Sequence, residues 1–540
     1  MTAPREMESS TQALTGKVAM TAPHYKATEV GLAVLQEGGS AIEAMVAAAA
    51  TIAVVYPHMN SLGGDGFWLI QRPGEAPVAI DACGFSAALA SNDFYTRQGL
   101  SAIPERGPLA AVTLGGTIGG WAKALEIDQH ASLPLSRLLE PARALAADGI
   151  TVTASLEAAS RKTFDTLQTV PGFAPVYLPE GKVLQEGETL CNPKLAHFIS
   201  LLAEQGLMSA YQGEIGATIA AELERLGSPL RVSDYQDYSA QVVTPLSVAI
   251  SQGRLYNLPA PTQGLASLLI LGVYDRVRAE RSGARDWSEA EQVHHLVEST
   301  KQAFIVRDRE VTDPGRLKCD WNALLDEPHL QQLAAQVDSD KALLWPHVAK
   351  HGDTIWMGAL DQHGTMVSFI QSIYWEFGSG VVIEPYGLIC NNRGVSFSLD
   401  ASHANALGPR LKPFHTLNPA MAILNDGRRV VYGTMGGEGQ PQTQAALFSR
   451  YLYEGYSLPE AIARGRWLLG RTWGETSFNL KLEADLDARV GNELRQRGHD
   501  IAVVPAQVEM MGHAGAIALM TDGSVEAATD PRSDGAALVV

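Results

Sequence analysis

The segment "GDTIWMGALDQHGTMVSFIQSIY", residues 352–374, decides the fold, because it carries two β-type runs around a polar turn. The runs "TIWMGAL" (354–360) and "MVSFIQSIY" (366–374) are rich in β-branched and aromatic residues, and "DQHGT" (361–365) contains the aspartate and glycine typical of turns. We therefore predict a β-hairpin. Further β-type runs follow at "YGLICNN", "AMAILND" and "RRVVYGT", so the last third of the chain is expected to form sheet.

Helix signals dominate the sequence before this hairpin. The run "ATEVGLAVLQEGG" predicts a helix that ends at a glycine pair. Ser40 and Glu43 then form a capping-box pattern that opens an alanine-rich helix, which should be buried because it is apolar all round. Helical periodicity recurs through 116–226 and 260–310, and the charged stretch 335–353 is a weak candidate linker. The sequence thus divides into a helix-rich first part and a sheet-rich last part, joined just before Thr354.

Composition narrows the class of protein. The chain has 540 residues, of which 46% are hydrophobic and 19% charged, as in globular proteins. Its formal net charge of −18 argues against nucleic acid as a partner, since phosphate binding needs a basic surface. The four cysteines are widely spaced, which indicates reduced, mostly buried thiols. The polar N-terminus and the short apolar run 41–56 predict neither a signal peptide nor a membrane span, so we expect a cytoplasmic protein without a membrane partner.

Known cofactor and metal patterns are missing from the sequence. His294 and His295 lie in a predicted helix with Glu298, which is half of a metal-ligand set, but a third ligand at metal spacing is lacking. The H-E-x-x-H, Walker A and G-x-S-x-G patterns do not occur. We expect no metal and no cofactor.

A glycine-rich segment, "VVYGTMGGEGQPQTQAAL" (430–447), runs from a predicted strand through a turn into a predicted helix. Three interpretations stay open. The segment is a plain tight turn, or an anion-binding loop of a dinucleotide-binding α/β protein, or an oxyanion hole in which glycine N–H groups face a developing negative charge. The dinucleotide pattern G-x-G-x-x-G is not met, because Gln442 stands where its third glycine would be.

Thr354 acquires distinctive chemistry only if the chain is cut before it. An internal threonine has a weak hydroxyl nucleophile and no adjacent base. A threonine at a new N-terminus gains a free α-amine with an ordinary pKa of about 7.7–8.0. That amine can accept the hydroxyl proton near neutral pH, so that one residue supplies both nucleophile and base.

Taken in order along nearly the whole chain, these segments resemble the γ-glutamyltranspeptidase family of N-terminal nucleophile hydrolases. The resemblance rests on "VGLAVLQEGGSAIEAMVAAAATIAVVYPHMNSLGGDGFWLI", "NLPAPTQGLASLLIL", "FIVRDREVTDP", the hairpin segment and "GTMGGEGQPQTQ". It implies an α/β fold, a four-layer αββα sandwich, with autocatalytic cleavage between Asp353 and Thr354. The fragments 1–353 and 354–540 would stay together as a heterodimer within one αββα unit, with a dimer of such heterodimers left open.

The resemblance also implies an amidohydrolase site. Thr354 would be the nucleophile and its α-amine the base, Gly436 and Gly437 would form the oxyanion hole, and Ser372 would keep the hydroxyl of the hairpin end.

This chain departs from the family at the positions that grip the glutamyl amino acid. Asn92 replaces the arginine that holds the α-carboxylate, and Ser396 replaces the aspartate that binds the α-amino group. His415 and Thr416 replace a serine pair that helps to hold the carboxylate. A γ-glutamyl group should therefore bind poorly, because a buried charge without its partner costs several kcal/mol.

Two larger residues stand where the family has an asparagine and a glutamine, namely Tyr374 and Arg393. They suggest a smaller pocket with an added cation, and hence a small carboxylate-bearing amide held by Arg393, with His415 and Thr416 as further donors. The alternative for Arg393 is a surface ion pair outside the pocket. A γ-glutamyl hydrolase or transpeptidase, and an acylase for glutaryl-type β-lactam side chains, are the alternative activities.

Overall fold

Two β-sheets lie face to face in the computed structural model, which describes residues 17–281, 287–345, 353–470 and 478–540. The first sheet has seven strands in the spatial order Ala536–Val539, Ala19–Ala22, Asp353–Leu360, Met366–Tyr374, Asp65–Gln71, Val78–Ala82 and Gln241–Val243. The second sheet has six, in the order Val525–Thr529, Ala514–Leu519, Arg429–Thr434, Ala420–Leu424, Gly253–Asn257 and Leu246–Ile250. Smaller sheets pair Trp467–Leu469 with Leu480–Glu483 and Ile501–Val504, Ile150–Thr151 with Thr189–Leu190, and Val382–Ile383 with Leu388–Ile389.

Helices cover the outer face of each sheet. The longer helices on the side of the first sheet are Tyr25–Gln36, Ala41–Val55, Thr117–Glu126, Leu135–Asp148, Ala154–Leu167, Pro193–Gln205 and Gly213–Leu226. Those on the side of the second sheet are Gly264–Arg281, Glu289–Glu310, Glu327–Ala334, Gln440–Tyr453 and Leu458–Ala463. Short helices span Asn92–Thr96, Phe173–Tyr177, Val232–Gln236, Trp321–Leu324, Ala484–Leu486 and Asn492–Gln496. Within the described ranges, each helix is too short or too polar to cross a membrane.

The apolar core has three parts that match these layers. One part fills the space between the first sheet and its helices, and a second fills the space between the second sheet and its helices. The third lies between the two sheets and includes Phe67, Trp356 and Ile517. Each sheet is thus buried on both faces, and the predicted four-layer αββα architecture is confirmed.

The predicted hairpin is also confirmed. Asp353–Leu360 and Met366–Tyr374 pair antiparallel, with Met366 opposite Leu360, and the first strand begins one residue earlier than predicted. The register shifts between Gln371 and Tyr374, so the second strand ends in an irregular turn beside Asp353. This hairpin occupies the middle of the first sheet.

The predicted capping box at Ser40 and the buried helix after it are confirmed. Ser40 Oγ accepts from Glu43 N at 3.0 Å and Ser40 N donates to Glu43 Oε2 at 2.9 Å, which is the capping box expected before the alanine-rich helix. Every residue of that helix, Ala41–Val55, is buried. The cysteines are free thiols, as predicted, but only Cys83 and Cys390 are buried, whereas Cys191 and Cys319 are exposed.

The predicted division into a helix-rich part and a sheet-rich part does not hold in space. The strands Ala19–Ala22 and Asp65–Gln71 flank the hairpin in the first sheet, although both precede Thr354 by hundreds of residues. Ala19–Ala22 has only four residues and is buried throughout, so it lacks the alternation that marks a half-exposed strand. Asp65–Gln71 is also buried throughout, but it follows a glycine loop, which is a local signal for a strand. The candidate linker 335–353 lies in part outside the described residues, at 346–352.

Candidate active site

Thr354 lies at the start of the central hairpin and is fully buried. Its Oγ1 accepts a hydrogen bond from Gln440 Nε2 at 3.1 Å. Gln440 is the first residue of the helix Gln440–Tyr453, which follows directly on the glycine-rich turn. The residue predicted to be the nucleophile therefore lies against the start of a helix that belongs to the opposite half of the sandwich.

The glycine-rich turn has the conformation that its sequence requires. Gly436 has a φ of +118° and Gly437 a φ of +52°, in the left-handed region that favours glycine. Gly437–Gly439 form a short 3₁₀ turn before the helix, where the first N–H groups have no partner within the helix. The turn is brought into the neighbourhood of Thr354 by Gln440. The oxyanion role of Gly436 and Gly437 stays a prediction.

The hairpin ends in a strained turn that holds Ser372 and Tyr374. Tyr374 N donates to Ser372 Oγ at 2.8 Å, so the retained hydroxyl fixes the backbone of the turn. Tyr374 has a φ of +82°, which is unusual for a residue with a bulky side chain. Both residues are buried. This turn sets the direction of the Tyr374 ring toward Arg393.

Arg393 is buried in the site, with a relative exposure of 1%, so the alternative of a surface ion pair is excluded. Its guanidinium carbon lies 3.8 Å from the centroid of the Tyr374 ring. Its Nη1 donates to Thr416 Oγ1 at 3.3 Å, whereas Nε and Nη2 have no hydrogen-bond partner among the described residues. Those two N–H groups form one parallel edge of the guanidinium, which matches the two oxygens of a carboxylate.

His415 makes a buried pair with Asp65, an acidic residue outside the predicted set of site residues. His415 Nε2 lies 3.1 Å from Asp65 Oδ2, while Leu417 N donates to His415 Nδ1 at 3.4 Å. The proton of the imidazole therefore sits on Nε2 and is donated to Asp65. The other carboxylate oxygen, Asp65 Oδ1, accepts from Gly84 N at 2.8 Å and Gly116 N at 3.2 Å.

The charges around this pair favour a neutral histidine. Burial, together with the nearby Arg393 and Lys412 cations, holds the pKa of His415 well below its usual range. Burial raises the pKa of Asp65 to about 6, against the lowering effects of backbone hydrogen bonds and of Arg393 and Lys412. Lys412 itself donates to Asp81 Oδ2 at 2.6 Å. His415 Nε2 is already hydrogen-bonded to Asp65. A contact of His415 with the substrate stays a prediction.

Thr416 connects the Arg393 side of the site to the glycine-rich turn. Its carbonyl accepts from Gln263 Nε2 at 2.8 Å and from Asn418 Nδ2 at 2.9 Å. Gln263 Nε2 also donates to the carbonyl of Gly437 at 2.8 Å. One buried amide therefore ties the segment that contacts Arg393 to the turn beside Thr354.

Asn92 and Ser396, predicted to stand where the resembling family has charged residues, have protein partners. Asn92 Nδ2 donates to the carbonyl of Leu399 at 2.7 Å, and its Oδ1 is buried without a partner among the described residues. Ser396 Oγ donates to the carbonyl of Arg393 at 2.9 Å and thereby closes the short turn Arg393–Ser396. Ser396 thus supports the backbone of Arg393.

Sequence reasoning missed a group of polar residues that hold the site together. Their side chains are neutral amides or sit in glycine loops, so they match no catalytic pattern of titratable groups. Asp65 had the clearest signal, because it is a carboxylate inside the glycine loop "LGGDGF" at the entry to a strand. The residues are Asp65, Gln263, Asn418 and Gln440.

Of the two histidines considered as metal ligands, only His294 lies in a buried cluster with Glu298, whose third member is His499. The other, His295, has its Nε2 3.1 Å from Ser339 Oγ. His294 Nδ1 lies 2.8 Å from His499 Nε2, and His294 Nε2 lies 2.7 Å from the carbonyl of Asp338. Glu298 accepts from the Lys301 ammonium at 2.7 Å. These ligand atoms are close enough to share an ion, but the buried Lys301 cation already neutralises the carboxylate. The contacts are those of a satisfied polar core.

Comparisons with known proteins point to one family over nearly the whole chain. A family model described as gamma-glutamyltranspeptidase matches residues 27–540. The chain is 50% identical over 519 residues to the oxamate amidohydrolase proenzyme of Klebsiella pneumoniae, covering 96% of this chain and 97% of that one. It is 36% identical to the glutathione hydrolase-like YwrD proenzyme of Bacillus subtilis, covering 97% and 98%. The cephalosporin acylase of Bacillus halodurans superposes with a TM-score of 0.87 at 27% identity, covering 100% of this chain and 99% of the other.

Proposed function

Because the chain belongs to the γ-glutamyltranspeptidase family, we propose that it is an autoprocessed amidohydrolase with Thr354 as its nucleophile. The support is threefold: the order of family segments, the burial of Thr354 at the start of the central hairpin, and the glycine-rich turn beside it. Family membership also replaces the dinucleotide-binding interpretation of this turn. One of the relatives is an oxamate amidohydrolase proenzyme.

Maturation begins with attack of Thr354 Oγ on the carbonyl carbon of Asp353. The C–N bond between these residues breaks as a C–O ester bond forms, and the hydroxyl proton ends on the new α-amine. Water then hydrolyses the ester, which leaves Asp353 with a carboxylate and Thr354 with a free α-amine and hydroxyl. The fragments are 1–353 and 354–540.

Turnover uses the same oxygen. The α-amine accepts the proton of Thr354 Oγ while Oγ adds to the substrate carbonyl, and the oxyanion is stabilised by N–H groups of Gly436 and Gly437. Collapse expels the amine, which takes the proton back from the α-ammonium group. Water then cleaves the acyl-enzyme by the reverse proton route, releasing the acid.

Arg393 is the observation that carries the substrate proposal. A buried guanidinium with Nε and Nη2 unpartnered among the described residues is a costly arrangement unless an anion completes it. A carboxylate fits that edge in a bidentate pair. Since Tyr374 occupies the adjacent space, we assign the substrate as a short diacid monoamide, with oxamate as the first choice. The products are then a diacid and ammonia.

The same residues disfavour γ-glutamyl substrates. A γ-glutamyl group brings an α-ammonium that needs an acidic partner, and Ser396 is engaged with the Arg393 carbonyl. The likeness to a cephalosporin acylase keeps a longer acidic acyl group as the second candidate.

Arg393→Ala in the cleaved enzyme tests the substrate assignment. Removing one charged hydrogen-bonding partner should lower kcat/KM for oxamate by about ten- to a hundredfold, from about 1.5–3 kcal/mol. A neutral amide of equal size, acetamide, should be affected much less. Equal losses on both amides, or a γ-glutamyl anilide as the best substrate of the native enzyme, would contradict the substrate assignment. Neither result would bear on Thr354 as the nucleophile.

The two cleaved fragments should stay associated. The fragment 1–353 would supply four strands of the first sheet, and the fragment 354–540 would supply the strands between and beside them. We propose a heterodimer of the two fragments as the basic unit, with a dimer of heterodimers as the next level of assembly. Sedimentation of the cleaved protein distinguishes the two.

A further inference from the structure

Gln440 presents an amide N–H to the oxygen of Thr354. The side chain is fully buried, and its Nε2 lies 3.1 Å from Thr354 Oγ1. Its Oε1 accepts from Asn418 Nδ2 at 3.1 Å. Because a donor faces Oε1, the orientation of the Gln440 amide is fixed, and its N–H points to Thr354.

Asn418 is itself held in one orientation. Its Oδ1 accepts from Ser267 Oγ at 2.8 Å, and its Nδ2 donates to the carbonyl of Thr416 as well as to Gln440. All of these side chains are buried. A directed chain of neutral hydrogen bonds therefore runs from Ser267 through Asn418 and Gln440 to Thr354.

We propose that Gln440 is a catalytic residue that stabilises negative charge on Thr354 Oγ, and that Asn418 is its positioning residue. The proposal rests on the proposed function of Thr354 as nucleophile and adds a donor to that oxygen which the family resemblance did not supply. It differs from the oxyanion hole, because the oxyanion forms on the carbonyl oxygen of the substrate.

The hydrogen bonds of Thr354 Oγ determine how this residue can react. A donor on Oγ occupies one lone pair and leaves the hydroxyl proton directed elsewhere, free for the α-amine. As the hydroxyl proton passes to the α-amine, negative charge develops on Oγ, and a preorganised donor stabilises it without reorganisation. The charge then moves to the carbonyl oxygen of the substrate as the C–O bond forms. In deacylation the C–O bond breaks, Oγ leaves with the electron pair, and the proton returns to it from the α-ammonium group. The same donor therefore serves both half-reactions.

A neutral amide suits this position. A cationic donor would hold the α-amine of Thr354 deprotonated through repulsion but would also compete for the substrate anion. The amide does not titrate, so it adds no ionisation to the pH profile. It also contacts Oγ while Asp353 precedes Thr354 in the same strand, so the donor is in place for the maturation step.

The test compares Gln440→Met with Gln442→Met. Methionine keeps the length of glutamine and removes the donor. Gln442 is a matched control on the same helix, because it is equally buried and makes two hydrogen bonds, but with the backbone of Leu469 instead of Thr354. Intact mass first gives the cleaved fraction of each protein, and rates are then expressed per cleaved chain.

We expect Gln440→Met to mature more slowly and to lose about a hundredfold in kcat, in line with loss of one preorganised donor. Its KM for oxamate should stay within about twofold, since Gln440 faces the nucleophile and not the carboxylate clamp. Gln442→Met should retain kcat within about twofold. Asn418→Leu should reproduce part of the kcat loss, because Gln440 would lose its fixed orientation.

Native turnover by Gln440→Met, or equal losses in Gln440→Met and Gln442→Met, would overturn the catalytic role. A change confined to KM would also overturn it. Failure of the proposed function is distinguishable from failure of this proposal. Activity in the Thr354→Ala variant would show that Thr354 is not the nucleophile, whatever the effect of the Gln440 variants.

Discussion

The guanidinium of Arg393 stacks on the ring of Tyr374, with 3.8 Å between the guanidinium carbon and the ring centroid, and both side chains are buried. The ring holds the guanidinium in one plane while Thr416 Oγ1 takes one of its N–H groups. The remaining edge, Nε and Nη2, is thereby presented as a rigid fork. Specificity for a short acid would arise from this geometry as much as from the charge.

Arg393→Lys should separate geometry from charge. Lysine keeps the cation but has neither the planar stack nor the two parallel donors. We expect kcat/KM for oxamate to fall by about tenfold or more, with acetamide hydrolysis much less affected. Steady-state kinetics on the cleaved enzyme measure both. A lysine enzyme with native efficiency on oxamate would mean that a point charge is sufficient and that the fork is unimportant.

Thr354→Ala should remain a single chain without activity, because the alanine has no oxygen to attack Asp353. Thr354→Ser should still be cut, since serine keeps the hydroxyl. Intact-mass measurement of freshly purified protein, followed over days without added protease, gives the cleaved fraction. Cleavage of the alanine variant before residue 354 would show that another group, or a contaminating protease, cuts the chain.

Asp65 predicts a pH dependence of stability. Its folded pKa of about 6 lies above its ordinary value of 3.8, so between these values the folded protein holds a proton that the unfolded chain has lost. The free energy of unfolding must therefore fall as pH rises through this window. Asp65→Asn removes the titration. The stability of the native sequence relative to this variant should decrease by a few kcal/mol between pH 4 and pH 7.

Urea unfolding in the Thr354→Ala background provides that measurement, because both proteins are then single chains. Asp522→Asn is the control: the pKa of Asp522 is lowered by its hydrogen bonds with Ser524, so any effect there has the opposite sign. A flat difference for Asp65→Asn would mean that the carboxylate stays ionised throughout the range.

The buried ion pair of Arg307 and Glu438 should support the glycine-rich turn. Arg307 Nη2 lies 2.7 Å from Glu438 Oε2, and Arg307 Nη1 donates to Gln263 Oε1 at 3.3 Å. Arg307→Met removes a paired cation from a buried carboxylate and should lower the free energy of unfolding by about 3–5 kcal/mol. The double variant with Glu438→Gln should recover part of that loss. Urea unfolding of the uncleaved Thr354→Ala chains measures this, and additive losses would contradict the coupling.

Part of the fold could be predicted because its signals are local. The hairpin, the capping box at Ser40 and the long helices each follow from spacing and turn chemistry within a few residues. The strands Ala19–Ala22 and Gln241–Val243 could not be found in this way. They are four and three residues long, and their place in the sheet depends on partner strands that are distant in the sequence.

The site divides along the same line. Thr354, the glycine-rich turn and Arg393 carry chemistry that is visible in one segment or through a family pattern. The roles of Gln440 and Asp65 depend on contacts across 86 and 350 residues of chain, with Thr354 and His415 respectively. A sequence does not reveal which glutamines and asparagines have a role in a site. That role depends on the orientation of the side-chain amide, which neighbours in the folded structure determine.

The two ends of the described chain meet in the first sheet: Val18 N donates to Val540 O at 2.8 Å, and Val540 N donates to Val18 O at 2.9 Å. A circular permutant is therefore geometrically simple, because a short connector after Val540 can lead into residue 17. If such a gene opens at Thr354 and closes at Asp353, the threonine would become the N-terminus during synthesis, once the initiator methionine is removed. Maturation and turnover, for which we propose one shared oxygen, could then be studied separately, including in variants that no longer cleave themselves.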